Sequence, residues 1–165
     1  MRTVKRILVL LLVILLLAQI YRSPKNLSGD TTNDISKQYA VPADVNTILA
    51  KACYDCHSNK TRYPWYAEVQ PVSMWLAGHI KDGKREINFN EFGSYRIAKQ
   101  YRKLEECIEQ VKKDEMPLSS YTLIHTDAKL TDAEKTTFIS WCESVRNTIK
   151  ARYPADSLIV KRKPS

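Results

Sequence analysis

No stretch of this 165-residue chain keeps an apolar–polar alternation of period two, so the strands of a sheet are missing from its pattern and an all-α domain is expected. No internal repeat is visible, and with it a repeat array is excluded. No second C-x-x-C accompanies the one at Cys53 and Cys56. A closed zinc site would need two more nearby ligands, and Cys107 and Cys142 stand far along the chain. No basic stripe belongs to the folded part either. Of the net charge of +8, Arg2, Lys5, Arg6 and Arg22 contribute +4 at one end and Lys161, Arg162 and Lys163 contribute +3 at the other. Between residues 40 and 160 there are 17 basic and 16 acidic residues, a balance that gives no support to nucleic acid as a partner.

The amino terminus does carry a long hydrophobic run. Arg2, Lys5 and Arg6 precede unbroken apolar sequence from Ile7 to Ala18, continued by Ile20 and Tyr21 past Gln19, the form of an export signal or an anchor. A cut after Ala18 would find Leu16 where a small residue belongs, which favours retention as a membrane helix. The run from Ile7 to Tyr21 makes a helix of about 22 Å, short of a hydrocarbon core of about 30 Å, with Lys5, Arg6 and Arg22 able to snorkel. No cysteine follows the run, so a lipobox is not indicated. The basic bias ahead of it places the domain outside the cytoplasm: a bacterial inner-membrane protein facing the periplasm, or an exported one if the signal is cut.

The chain divides accordingly into a signal or anchor (1–22), a polar, turn-rich linker expected to be flexible (23–40), a helical domain (41–154) and a basic tail (155–165). Val45, Ile48, Leu49 and Ala52 predict a short amphipathic helix from Pro42. Pro71 opens a second helix through Trp75, Leu76 and Ile80 that Gly83 can stop. A longer helix is expected from Asn90, with Ile97, Tyr101, Leu104, Ile108 and Val111 on one stripe. Thr131 with Glu134 reads as a capping box for a last helix through Phe138, Trp141, Cys142, Val145 and Ile149, which Pro154 ends.

The residues that carry chemistry are Cys53, Tyr54, Asp55, Cys56 and His57, a C-x-x-C-H motif. Two thiols at this spacing can add across the two vinyl groups of one haem while the adjoining His57 ligates its iron, so the motif points to one covalently held haem c. A redox dithiol is the competing reading, but it expects a strand before the motif. The other axial position decides what such a haem does: a protein ligand makes an electron carrier, and an open or displaceable site makes a ligand sensor or a small haem enzyme. Met116, in the loop before Pro117, is the first candidate, against the ordinary fate of methionine as core filler. His79, one turn after Trp75, competes as ligand, propionate partner or core residue, and no arginine is obviously paired with it for peroxidase-like work. His125 sits in a polar loop, where a bracing role suits it better. Trp65, Tyr66 and Trp75 are expected to wall the porphyrin, although plain packing explains them nearly as well. Cys107 and Cys142 form a disulfide only if their Cα atoms stand within about 7 Å, and otherwise are buried thiols.

In the order of several segments the chain resembles a family of bacterial haem-binding domain proteins, single-haem relatives of cytochrome c found mainly in exported or membrane-anchored form. The similarity runs through CYDCHSNKTRYPWY, PVSMWLAGHIKDGK, INFNEF, EMPLSSYTLIH and AKLTDAEKTTFISW, most of residues 41–142. It implies a cytochrome-c-like helical fold, thioether bonds at Cys53 and Cys56, His57 as proximal ligand and Met116 at the sixth-ligand position. It assigns nothing to Cys107 or Cys142, and it leaves His79 inside a shared segment without a role. The expected activity is relay of single electrons between redox partner proteins at the membrane, rather than enzymatic turnover.

Overall fold

A computed structural model describes residues 1–159, and all regular structure within them is helical. In chain order the helices are α1 (Arg2–Ala18), α2 (Ala43–Ala52), α3 (Tyr54–His57), α4 (Val72–Glu86), α5 (Ile97–Lys112), α6 (Ser119–Thr122) and α7 (Asp132–Arg152), joined by short 3-10 turns. The basic tail residues Lys161, Arg162 and Lys163 lie outside the described residues.

The body of the domain is α5 packed along α7, with α2 laid on α7 and α3 bridging to α4. Each long helix buries the stripe its sequence carries. Leu104, Ile108 and Val111 come from α5; Phe138, Trp141, Cys142, Val145 and Ile149 come from α7; Val45, Ile48 and Leu49 come from α2. Burying such side chains stabilises the fold by about 1.5–3 kcal/mol each, set against the entropy of ordering them. The capping box is present in both halves: Thr131 Oγ1 accepts from the Glu134 N–H, and Glu134 accepts from the Thr131 N–H at 2.9 Å. The last helix ends at Arg152, two residues before Pro154.

Three expectations about the helical domain and its linker need correction. Gly83 does not stop α4, which runs on to Glu86. A Cβ at Gly83 would stand 2.9 Å from the Cys56 carbonyl oxygen, so this glycine serves the close approach of α4 to α3. The long helix starts at Ile97 and not at Asn90, because the Asn88 side chain accepts from the Asn90 N–H and winds Phe89–Ser94 into a 3-10 turn that buries Phe89 and Phe92. The stretch expected to be a flexible linker packs on the domain from Asn26 onward. Ile35 is fully buried, Tyr39 Oη donates to Gln100 Oε1 at 2.7 Å, and Asp34 Oδ2 accepts from Asn90 Nδ2 at 2.6 Å. Its polar composition hides this, since the attachment is made by hydrogen bonds as much as by apolar burial.

The amino-terminal run forms α1, a 17-residue helix with no buried residue. No helix among the described residues is long and apolar enough to cross a membrane, and the expected membrane-spanning helix is corrected on that point. At 1.5 Å per residue α1 is about 25 Å long. The chain just beyond it is tied to the start of α4: Gln70 N–H donates to Gln19 Oε1 at 3.0 Å, and Gln70 Nε2 donates to the Tyr21 carbonyl at 3.0 Å.

Candidate functional site

α2 ends at Ala52, and the chain passes straight into the single turn of α3, which carries Tyr54 to His57. Two backbone carbonyls hold the His57 ring from the α4 side. Nδ1 lies 2.9 Å from the Gly83 oxygen and 3.0 Å from the Ile87 oxygen. Both partners are acceptors, so Nδ1 carries the proton and the lone pair of Nε2 is left for another use. Burial pushes the imidazole below its ordinary pKa although the two carbonyls pull the other way, which keeps the ring neutral at neutral pH.

His57 lines a cavity of about 320 Å³, within the size range of small-molecule sites. Cys53, Cys107, Met116 and Pro117 line it too, with apolar walls from Ile87, Phe89, Val111, Leu130 and Phe138. Met116 is brought there by the end of α5. Asp114 takes a left-handed conformation (φ 57°), and the N–H groups of Glu115 and Met116 both donate to the Gln110 carbonyl, at 2.9 and 3.2 Å. A second tie reaches the motif itself: Tyr121 Oη of α6 donates to Asp55 Oδ2 at 2.8 Å, and Arg62 pairs with the same carboxylate. Asp55 thus joins the His57 turn to the segment that carries Met116.

Three charged groups line the cavity together: Lys103 and the two carboxylates that pair with it, Glu86 and Glu106. Lys103 of α5 is 6% exposed and reaches Glu86 at 2.8 Å and Glu106 at 2.5 Å. Burial works against its charge, but the hydrogen bonds to Glu106 and Glu86 outweigh it and hold its pKa above the ordinary lysine value.

The other expected site residues are elsewhere. Trp65 is 81% exposed, because the turn at Pro64 sends it outward. Trp75 is exposed on the outer face of α4, whose inner face presents Leu76 and Ile80. Tyr66 packs with Cys56 and Tyr63 against that small second core, outside the cavity lining. His79 stands edge-on to Trp75, with ring centres 4.3 Å apart. His125 accepts or donates at Tyr66 Oη, 2.6 Å away, and stacks on Tyr121, so it braces the loop. The four cysteines are free thiols. Burial pushes Cys53 and Cys107 up to about 12 and Cys56 up to about 11, so all three are protonated at neutral pH.

Sequence reasoning missed Phe89, Lys103, Cys107 and Phe138 as cavity residues. Phe89 had a signal, since it lies in the INFNEF segment that runs from the Ile87 carbonyl. Lys103 had none, because its burial depends on a gap between α4 and α5 that no periodicity reports.

A family model described as a haem-binding domain matches residues 11–144. The chain belongs to the haem-binding domain family. No curated protein and no solved structure matches it. The residues of this haem-binding domain fit the cofactor its family implies. The cavity offers an imidazole nitrogen free for iron, a thioether, the Cys53 thiol and apolar walls for a macrocycle, whereas Cys56 packs against the small second core outside the lining.

Proposed function

We propose that this haem-binding domain is a mono-haem c-type cytochrome that passes single electrons, held at a lipid surface outside the cytoplasm by α1. Haem supplies the redox chemistry, an iron that alternates between ferric and ferrous states. The chain's part is to hold and shield it. Cys53 and Cys56 carry the C-x-x-C-H spacing for thioether bonds, and His57 presents Nε2 because Gly83 and Ile87 occupy Nδ1. Met116 supplies a neutral thioether across the same cavity, and the apolar walls keep water away, which favours the ferrous state. The basic residues Arg2, Lys5 and Arg6 in the first turns of α1, ahead of its apolar run, support export and attachment to the outer leaflet of the inner membrane. Because α1 is shorter than a hydrocarbon core, it inserts into the lipid in this reading and does not cross it.

The observation that carries this reading is that His57, with its tautomer fixed, and Met116 line one cavity while His79 does not. Optical spectroscopy of the purified ferric protein tests it. A methionine-to-iron charge-transfer band in the far red is expected, lost in Met116→Ala, with haem that resists acid extraction. A high-spin ferric spectrum that shifts on adding azide would replace the carrier with a ligand sensor or a small haem enzyme having an open sixth site.

A further inference from the structure

The hydrogen bonds at the base of α1 fix which part of the domain lies beside it. Gln70 is almost fully buried, and its N–H and side chain are both spent on Gln19 and Tyr21. Arg22 donates to the Glu68 carbonyl at 2.9 Å, and Lys25 pairs with the Glu68 carboxylate. The segment from Trp65 to Trp75 is therefore clamped against the end of a helix that is apolar on every side.

Among the described residues, that segment exposes more large apolar surface than any comparable stretch of the domain beyond α1. Trp65 is 81% exposed, Met74 54%, Trp75 48% and Val69 44%. None of the four is used by the cavity, and two are tryptophans, whose amphipathic rings favour the level of lipid headgroups. Arg22 and Lys25 follow α1 in the chain and both bond to Glu68 inside the patch, so the Arg22 guanidinium brings positive charge beside it, as anionic headgroups would favour. Hydrogen bonding and attraction to Lys25 hold the Glu68 carboxyl below its ordinary pKa, so the acidic group in the patch remains paired with a cation.

We propose that Trp65, Val69, Met74 and Trp75 form a second lipid contact that seats the domain on the surface into which α1 inserts. It rests on the reading of α1 as a lipid anchor and adds to it: the patch gives the domain one orientation on the bilayer, with α4 lying near the headgroups. α1 supplies attachment, and the patch supplies the angle.

Hydroxyl-radical footprinting of the full holoprotein, read by mass spectrometry, tests this with vesicles of phosphatidylcholine and phosphatidylglycerol. Vesicle binding is expected to cut oxidation of Trp65, Met74 and Trp75 about fivefold or more and to leave Tyr153, which is 43% exposed near the end of α7, unchanged. A protein that floats with the vesicles while the three residues oxidise at their unbound rate overturns the patch and leaves the anchor standing. A protein that fails to float with them overturns both. Protection that appears without vesicles and grows with protein concentration assigns the patch to a second copy of the chain and overturns the lipid contact. The variant W65S/W75S, expected to float as wild type but with Met74 no longer protected, separates orientation from attachment.

Discussion

At the scale of single residues, His57 is the side chain whose protonation the fold controls most directly. Its pKa is lowered in the folded haem-free protein because the buried ring cannot readily hold a charge. As pH falls below the ordinary histidine value of 6.5, the unfolded chain takes up this proton first and gains on the native state. Stability carried by neutral His57 is thus present above that value and is lost as pH falls through the lower folded one. Urea midpoints of the haem-free protein are expected to drop between about pH 7 and pH 5, and His57→Asn should flatten the slope over that window. Tyr121 makes a different demand. Burial, followed by its bond to Asp55, raises its pKa, so it remains a donor at any physiological pH. Tyr121→Phe keeps the ring stacked on His125 and removes only the bond, which should cost about 1–2 kcal/mol in urea unfolding.

At the scale of elements, α4 holds two glycines with opposite expectations. Gly83→Ala would drive a Cβ to 2.9 Å from the Cys56 carbonyl, where only backbone can yield, and should lower stability by about 1–3 kcal/mol. At Gly78 an added Cβ would meet no atom within 4 Å, and Gly78→Ala should raise stability by about 0.5–1 kcal/mol through helix propensity. Paired thermal melts check both, and equal shifts would sink the account of Gly83. These glycines also mark how far the sequence can be read. The stripes of α2, α5 and α7 are legible because burial against one core leaves a 3.6-residue period, and the capping box is legible because it is made within four residues. Gly83 is not, since its neighbour Cys56 lies on another helix. The same limit explains the site. Cys53, Cys56 and His57 are a local spacing and can be found, and Met116 can be proposed from its loop. Lys103 reaches the cavity through the approach of α5 to Glu86 on α4 and Phe138 through the packing of α7 against α5, and Trp65 and Trp75 give an aromatic signal whose direction the sequence does not carry.

At the scale of the whole molecule, the folded unit begins before the point at which its helical pattern begins. Asn59 Nδ2 donates to the Asp30 carbonyl and to Glu91, Asn88 Nδ2 donates to Asn59 Oδ1, and Asn90 Nδ2 donates to Asp34, so residues 30–34 complete a buried polar network beside the His57 turn. A chain starting at residue 41 would leave that network open and empty the site of Ile35. It should unfold at least 3 kcal/mol more easily than one starting at residue 23, roughly the cost of one large apolar side chain and one or two buried hydrogen bonds. Comparable urea midpoints for the two chains would return residues 26–39 to the status of a spacer.

The early attachment of the chain also removes a degree of freedom. Lys84 of α4 holds Asn26, Gln70 holds Gln19 and Tyr21, and Arg22 is bonded to Glu68, so hardly any loose chain separates α1 from the body that carries the cavity. A carrier on a long leash can swivel between donor and acceptor. If the domain is the membrane-held carrier proposed above, it is bolted to its base, so partners would approach from fixed directions, and their traffic in the plane of the membrane, rather than any swing of the domain, would set the pace of delivery.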